Sequence, residues 1–142
     1  MLLTVERVLL LHQVEIFRNI DEDALIRLAS AMKEQDARPG EMIIEEGELG
    51  RELYIIIDGK VSVHQGEKQL AVLENKAIFG ELAALDPHPR TASITAIVET
   101  HMLRLDHETL FDELVGNNEL AQGVVRFLVK RLRRIIGTLA AS

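Results

Sequence analysis

Cysteine and tryptophan are both absent from this sequence, and proline occurs only three times. Without cysteine the chain has no disulfide framework, no zinc ribbon and no thiol nucleophile. Long apolar runs are missing too, because the apolar start MLLTVERVLLLHQVEIF is interrupted by Glu6, Arg7 and His12, among others, and no cationic leader precedes it. A membrane-spanning helix needs about 20 nearly uninterrupted apolar residues. We therefore expect a cytoplasmic chain that does not insert into a membrane.

The composition is typical of one globular domain. The 142 residues are 47% hydrophobic and 27% charged, a balance that favours a single compact core over disorder. The formal net charge is −7, so the surface as a whole repels nucleic acid. We expect a single domain over residues 1–142 that makes no direct contact with nucleic acid and holds any anionic ligand with a local group of donors.

The spacing of the apolar residues divides the chain into three regions. Residues 1–34 have helical spacing, with a break at Asn19–Glu22. Residues 35–106 alternate with a period of two between dense turns. Residues 107–142 are helical again, with a break at Gly116–Asn118. This order predicts an α+β fold in which an antiparallel, jelly-roll-like β-barrel is flanked by N-terminal helices and a C-terminal helix pair.

Two short turn sequences predict hairpins within the strand region. Asp58-Gly59 lies between the apolar run Leu53–Ile57 and the alternating residues Val61–Val63. The turn Gln65–Glu67 separates those residues from Leu70–Val72. We expect each turn to join two neighbouring strands that pair with one another.

One segment of the strand region, Phe79–Ile94, does not alternate. Gly80 precedes a run of good helix formers, and Pro87 and Pro89 prevent that helix from continuing. A short helix that begins at a glycine presents unpaired backbone N–H groups, which favour an anion. Arg90 begins the next strand and supplies a guanidinium that suits phosphate oxygens. The segment therefore predicts an anion site.

Glu81 lies beside this predicted anion site. A carboxylate there is unfavourable unless it accepts a hydrogen bond from a neutral donor. A ribose 2′-hydroxyl is such a donor, and it lies next to the phosphate of a 3′,5′-cyclic nucleotide. Glu81 and Arg90 together therefore indicate that sugar and phosphate are recognised as one unit.

These residues resemble the cyclic-nucleotide-binding domain family of catabolite-activator regulators, protein kinase regulatory subunits and nucleotide-gated channels. The family's phosphate-binding cassette resembles F-G-E-(apolar)-A, a short variable stretch, then P-R-(small)-A-(S/T)-(I/V), and residues 79–94, called the cassette below, fill every fixed position. The glycine pattern over residues 46–63 is also similar, and the resemblance covers about 17–132. One departure is Lys76-Ala77, where the family usually has Gly-Asp.

The resemblance implies a role for each residue of the pocket. Glu81 would hold the ribose 2′-hydroxyl and Arg90 the cyclic phosphate. Backbone amides would complete the anion nest, apolar side chains would line the purine, and an arginine of the last helix would cap the base. The amides of the anion nest would be those of Gly80, Leu82 and Ala83, with that of Thr91 or Ala92. The side chains on the purine would be Val63 and Leu73. The arginine that caps the base would be Arg131 or Arg134. Thr91 resembles members that accept cGMP, but others of that kind accept cAMP, so both ligands remain open.

The resemblance thus implies a regulatory sensor that binds cAMP or cGMP, needs no cofactor and is not an enzyme. Ligand binding would move the terminal helices, with Leu82, Leu85 and Phe111 as the packed contacts that move together. Two alternatives remain: a vestigial domain used only for protein contact, and the effector-binding half of a transcription regulator.

Other features of the chain point to partners rather than to chemistry. The five histidines contain no close His-x-His pair, so we expect surface or turn residues and no metal site.

The basic face of the last helix suits nucleic acid or an anionic membrane, but cations near a helix C-terminus are also favoured by the helix dipole. The run Leu9–Leu11 is more apolar than a solvent-facing helix needs. We therefore expect a homodimer, or attachment to a larger protein, through the terminal helices.

Overall fold

The computed structural model describes residues 1–141, so Ser142, the end of the predicted C-terminal region, lies outside the described residues. Within that range the chain has the predicted α+β order of helices, strands and helices. The helices are α1 (Thr4–His12), α2 (Glu22–Ala31), α3 (Glu81–Leu85), α4 (His107–Gly116) and α5 (Asn118–Ala141). The strands are β1 (Lys33–Ala37), β2 (Met42–Ile44), β3 (Leu49–Gly50), β4 (Glu52–Asp58), β5 (Lys60–Gln65), β6 (Lys68–Glu74), β7 (Ile78–Phe79), β8 (His88–Pro89), β9 (Ser93–Ala96) and β10 (Thr100–Asp106).

The N-terminal region is more broken than the sequence predicts. The first helix ends at His12 rather than at the expected break over residues 19–22, and a 3₁₀ turn follows at Glu15–Phe17. Val14 between them has extended backbone. This change of direction allows Val14 and the 3₁₀ turn to contribute buried side chains at a spacing that one continuous helix does not provide. The first strand begins at Lys33, two positions before the predicted start of the strand region.

The strands form two four-stranded antiparallel sheets, in the orders β1-β10-β4-β7 and β2-β9-β5-β6, and a two-stranded ribbon of β3 and β8. Between residues 1 and 141, no hydrogen-bonded pairing closes these sheets into one barrel. The antiparallel arrangement is therefore observed, while the closed jelly-roll-like barrel stays a prediction.

One of the two predicted hairpins is confirmed and the other is wrong. The turn at residues 65–67 joins β5 to β6, and these strands pair antiparallel. Asp58-Gly59 joins strands of different sheets, because β4 pairs with β10 and β7 whereas β5 pairs with β6 and β9. Gly59 has a φ of 137°, and a Cβ there would lie 2.5 Å from Oγ1 of Thr100. The glycine therefore serves a tight crossing between the sheets rather than a hairpin.

Two hydrophobic cores position the cassette. The first lies where the helices pack on the face of the β10–β4 sheet that points away from the other sheet, and it contains Phe17, Leu28 and Leu103 among its fully buried side chains. The second core lies between the sheets. Phe79 and Ile94, the two ends of the cassette, both belong to this second core. Burying a large apolar side chain stabilises a fold by about 1.5–3 kcal/mol. The cassette is therefore held at both ends by apolar burial.

The last helix crosses the 3₁₀ turn at close range. A Cβ on Gly123 of α5 would lie 2.8 Å from the carbonyl oxygen of Ile16, so the absence of a side chain allows the approach. Two turns further along α5, Lys130 Nζ lies 3.0 Å from a carboxylate oxygen of Glu15. These contacts hold the middle of α5 against the N-terminal region and leave the next residue, Arg131, beside the cassette.

Candidate functional site

A cavity of about 780 Å³ is bounded by the cassette, the β5–β6 hairpin and α5. Its volume is within the range of small-molecule sites. Arg131, one of the two predicted lid residues, also lines the cavity, whereas Arg134 does not. The other predicted pocket residues all line it: Val63, Leu73, Gly80, Glu81, Leu82, Ala83, Arg90, Thr91 and Ala92.

Helix α3 begins at this cavity, as the cassette sequence predicts. Gly80 precedes the helix with a φ of 76°, in the left-handed region that favours glycine. The N–H group of Ala84 is the first in the helix to donate a hydrogen bond to a carbonyl one turn earlier, that of Gly80 at 3.2 Å. The amides of residues 81–83 precede it and have no carbonyl one turn earlier within the helix. They are therefore suited to bind an anion in the cavity.

Arg90 is fixed through both its backbone and its side chain. Its N–H donates to the carbonyl of Glu48 at 2.7 Å, and its carbonyl accepts from Gly47 at 2.9 Å. Its guanidinium donates to the carbonyl of Glu52 at 2.9 Å and to that of Gly80 at 3.3 Å. A guanidinium has more N–H donors than these two bonds use. Arg90 can therefore bind an anion without giving up its present contacts.

The Arg90 guanidinium is half-buried, and its charge is therefore poorly screened by water. Burial lowers the pKa of Arg90, while Tyr54, Glu52 and Glu81 nearby act in the opposite direction. An arginine stays protonated at neutral pH despite such a shift. A fixed cation in a partly desolvated wall attracts an anion more strongly than one in bulk water.

Glu81 is almost fully buried, and its carboxylate is bonded to the last helix. Nη1 of Arg131 donates to Oε1 of Glu81, and Cζ of Arg131 lies 5.1 Å from the ring centroid of Phe127. A carboxylate accepts several hydrogen bonds at once. Glu81 can therefore accept a ligand hydroxyl while it remains paired with Arg131.

Another wall of the cavity comes from the β5–β6 hairpin. Val63 and Leu73 are half-buried there, on neighbouring antiparallel strands. Gln65 also lines the cavity, and its side-chain amide donates to the carbonyl of Thr91 at 2.8 Å. Sequence reasoning missed Gln65, because this contact depends on the register of strands that are distant in the chain.

His107, which the sequence assigns to a surface or turn position, connects the cassette to α4. Its Nδ1 lies 2.6 Å from the carbonyl oxygen of Ala84 in α3. Its ring is tilted against that of Phe111, with 5.2 Å between the centroids. The predicted packing is seen at Leu85, which lies against the first core, but Leu82, which lines the open cavity, and Phe111 are 52% and 46% exposed. That these three residues move together stays a prediction.

The turn before the cassette keeps a left-handed residue although it lacks glycine. Lys76 has a φ of 72°, and its N–H donates to the carbonyl of Ile56 at 2.8 Å. The departure from the family pattern therefore leaves a strained lysine at this turn.

Residues 1–141 contain no group of three or more histidine, aspartate or glutamate side chains arranged to hold a metal ion. None of the helices in the same range is both long enough and apolar enough to cross a membrane.

Comparison with known proteins gives consistent relatives. A family model for the cyclic nucleotide-binding domain matches residues 34–117. The CRP-like cAMP-activated global transcriptional regulator of Mycobacterium tuberculosis is 33% identical over 136 residues, which are 92% of this chain and 61% of the regulator. The cAMP-dependent protein kinase regulatory subunit of Dictyostelium discoideum is 34% identical over 114 residues, 75% of this chain and 35% of the subunit. The chain therefore spans less than two thirds of the length of these relatives.

Solved structures show the same fold. The N-terminal domain of a transcriptional regulator from Streptomyces coelicolor A3(2) superimposes with a TM-score of 0.78 at 31% identity, covering 92% of this chain and 94% of that domain. The regulatory domain of Toxoplasma gondii PKA with cAMP gives a TM-score of 0.73 at 28% identity, covering 77% of this chain and 43% of the other. With a matching family model over more than half of its length, this chain belongs to the cyclic nucleotide-binding domain family.

Proposed function

We propose that this chain is a regulatory sensor domain that binds a cyclic nucleotide, cAMP or cGMP, and acts without catalysing a reaction. The observation that carries the proposal is the placement of Glu81 and Arg90 on the walls of one cavity, beside the first amides of α3. A cation with free amides suits a cyclic phosphate, and a buried carboxylate suits the adjacent hydroxyl.

In this proposal each wall of the cavity contacts one part of the ligand. Arg90, the backbone of residues 80–83 and that of Thr91 or Ala92 hold the cyclic phosphate. Glu81 accepts a hydrogen bond from the ribose 2′-hydroxyl. Val63 and Leu73 pack on the purine, and Arg131 covers it from α5. The cavity lining and the Arg90 contacts described above support these assignments.

The signal would be a shift between two arrangements of the terminal helices. A ligand shifts such an equilibrium only by its difference in affinity for the two states. Two contacts link the cassette to the helices that would move: Arg131 with Glu81, and His107 with Ala84. We propose that residues 1–142 respond as one domain, with the sheets acting as a jelly-roll-like barrel that carries the cassette.

The terminal helices would carry the signal to a second copy or to a larger protein. Helix α5 exposes a row of apolar side chains, and Val5 and Leu9 of α1 are exposed as well. The exposed apolar residues of α5 are Val125, Val129, Leu132, Ile135, Ile136 and Leu139. An exposed apolar face on this scale favours a partner.

The effector-binding half of a transcription regulator is a second candidate function. It is favoured by one observation, which is the match to 94% of the N-terminal domain of a Streptomyces transcriptional regulator. Both candidates use the same pocket, so they differ in output rather than in ligand.

A thermal-shift comparison with cAMP, cGMP and AMP tests the proposal. A ligand that binds only the folded chain adds about 2.7 kcal/mol of stability when its concentration is 100 times the dissociation constant. AMP carries the same base and ribose as cAMP but an open phosphate, so we expect a smaller shift with AMP. If neither cyclic nucleotide raises the melting temperature at about millimolar concentration, the domain is vestigial and the proposal is wrong.

A further inference from the structure

Gly50 lies against the side chain of Arg90. A Cβ on Gly50 would lie 2.3 Å from Nε of Arg90 and 2.6 Å from both Cδ and Cζ. Non-bonded heavy atoms do not approach so closely, since even a favourable carbon contact is about 3.5–4.0 Å. Any side chain at position 50 would therefore displace Arg90 from its present place.

The backbone of Gly50 does not explain the glycine. Its φ is not positive, whereas that of Gly47, three positions earlier, is +91°. Gly47 in turn has open space where its Cβ would be, with no atom within 4 Å. Position 47 therefore needs glycine for its left-handed backbone, whereas position 50 needs glycine because a side chain there would collide with Arg90.

A second glycine borders the guanidinium. A Cβ on Gly80 would lie 2.8 Å from Nη1 of Arg90 and 2.7 Å from the carbonyl oxygen of Glu52. The carbonyls of Gly80 and Glu52 are the two that accept hydrogen bonds from this guanidinium. We call the space between Gly50 and Gly80, closed by these two carbonyls, the arginine slot.

We propose that Gly50 is a positioning residue for the anion site: the space left by its missing side chain allows Arg90 to enter the arginine slot. The slot fixes the guanidinium at the cavity wall before a ligand arrives. A donor that is already ordered loses less conformational freedom on binding, and so it binds more tightly. This inference rests on the proposed cyclic-nucleotide function.

The first test needs no nucleotide. The melting temperatures of Gly50→Ala, Arg90→Ala and the double variant are compared with that of the unsubstituted chain. We expect Gly50→Ala to lower the melting temperature by several degrees when Arg90 is present. In the Arg90→Ala background it should lower it much less, because the alanine occupies vacated space.

Gly40→Ala is the matched control. Gly40 has a φ of +84° with open space where its Cβ would be, and its N–H donates to the carbonyl of Ala96 rather than to Arg90, so the effect of the substitution should be the same with and without the arginine. Equal effects of Gly50→Ala in the two backgrounds would overturn the arginine slot. If Gly50→Ala alone does not fold, recovery of folding in the double variant supports the slot, and failure of both overturns it.

The second test is calorimetric titration with cAMP and cGMP. We expect Gly50→Ala to weaken binding of the preferred nucleotide by about tenfold or more, because Arg90 is moved from its place. Gly40→Ala should bind about as tightly as the unsubstituted chain. A Gly50→Ala variant that binds equally tightly would overturn the positioning role. If the unsubstituted chain binds neither nucleotide, the proposed function fails, and with it the positioning role, whereas the melting temperatures still decide whether the slot exists.

Discussion

Arg131 of α5 is hydrogen-bonded to Glu81 of α3, fifty positions earlier in the sequence. The Glu81 side chain is 5% exposed and that of Arg131 is 39% exposed. A buried carboxylate without a partner is costly, so the cation of α5 compensates the charge that the cassette places inside the cavity. The last helix and the anion site are thereby connected through one ion pair.

Replacing Arg131 by alanine should weaken cyclic-nucleotide binding by about tenfold, equivalent to about 1.4 kcal/mol. The substitution removes the proposed lid and leaves the Glu81 carboxylate uncompensated beside the ligand phosphate. Calorimetric titration with cAMP and cGMP measures the change.

Arg134→Ala is the control for that substitution, because Arg134 is also a cation of α5 but does not line the cavity. It should leave the affinity nearly unchanged. Equal losses in the two variants would mean that net charge matters rather than position, and Arg131 would not be the lid.

Replacing Lys76 by glycine should stabilise the fold by about 0.5–1 kcal/mol. The left-handed backbone at Lys76 costs an ordinary L-residue about 1–2 kcal/mol, of which part is offset by the greater freedom of glycine in the unfolded chain. Chemical denaturation gives the free energy of unfolding. Lys76→Ala removes the same charge but keeps a Cβ, so it should not stabilise. A gain of equal size in both variants would attribute the effect to charge.

His101 and Asp36 should make stability depend weakly on pH. Nδ1 of His101 lies 2.6 Å from Oδ1 of Asp36, and this hydrogen bond is the main cause that raises the pKa of His101. Because the folded chain binds the proton more tightly, the stabilisation is fully present below the unfolded pKa of about 6.5. It is lost as the pH rises through the raised pKa of the folded state.

The size of this effect is a few tenths of a kcal/mol, because both side chains are exposed and water screens the pair. Urea unfolding at about pH 5.5 and pH 8.5 measures it, with Asp36→Asn as the comparison. The variant should be less stable at the lower pH and close to the unsubstituted chain at the higher one. The same difference at both pH values would contradict the account.

Much of the fold follows from local patterns in the sequence. The change from helical to alternating spacing and back places the helices and the strand region, and Gln65–Glu67 correctly marks a hairpin. The sequence Asp58-Gly59 also marks a change of chain direction, but it does not indicate which strand pairs with β4. That choice is decided by β10, which is more than forty positions further along the chain. The apolar pattern predicts a first helix that is too long, because apolar residues continue past His12 in extended and 3₁₀ backbone.

The cassette was predictable because its residues are contiguous. Gly80, Glu81 and Arg90 lie within one segment whose turn and helix follow from local chemistry. Gln65 lines the same cavity and Gly50 lies against the side chain of Arg90, each from a remote strand, so these contacts depend on strand pairing that local sequence does not show. Only the family resemblance indicates Arg131, since nothing in the local sequence shows that α5 passes the cassette at this point.

Calorimetric titration of cAMP and cGMP into the unsubstituted chain and into Arg90→Ala decides whether Arg90 holds the ligand. The unsubstituted chain should bind at least one of the two nucleotides. Arg90→Ala should lose most of that affinity, about a hundredfold or more, while its unfolding transition stays nearly unchanged. An Arg90→Ala chain that binds the nucleotide as tightly as the unsubstituted chain would contradict the central claim that this guanidinium holds the cyclic phosphate.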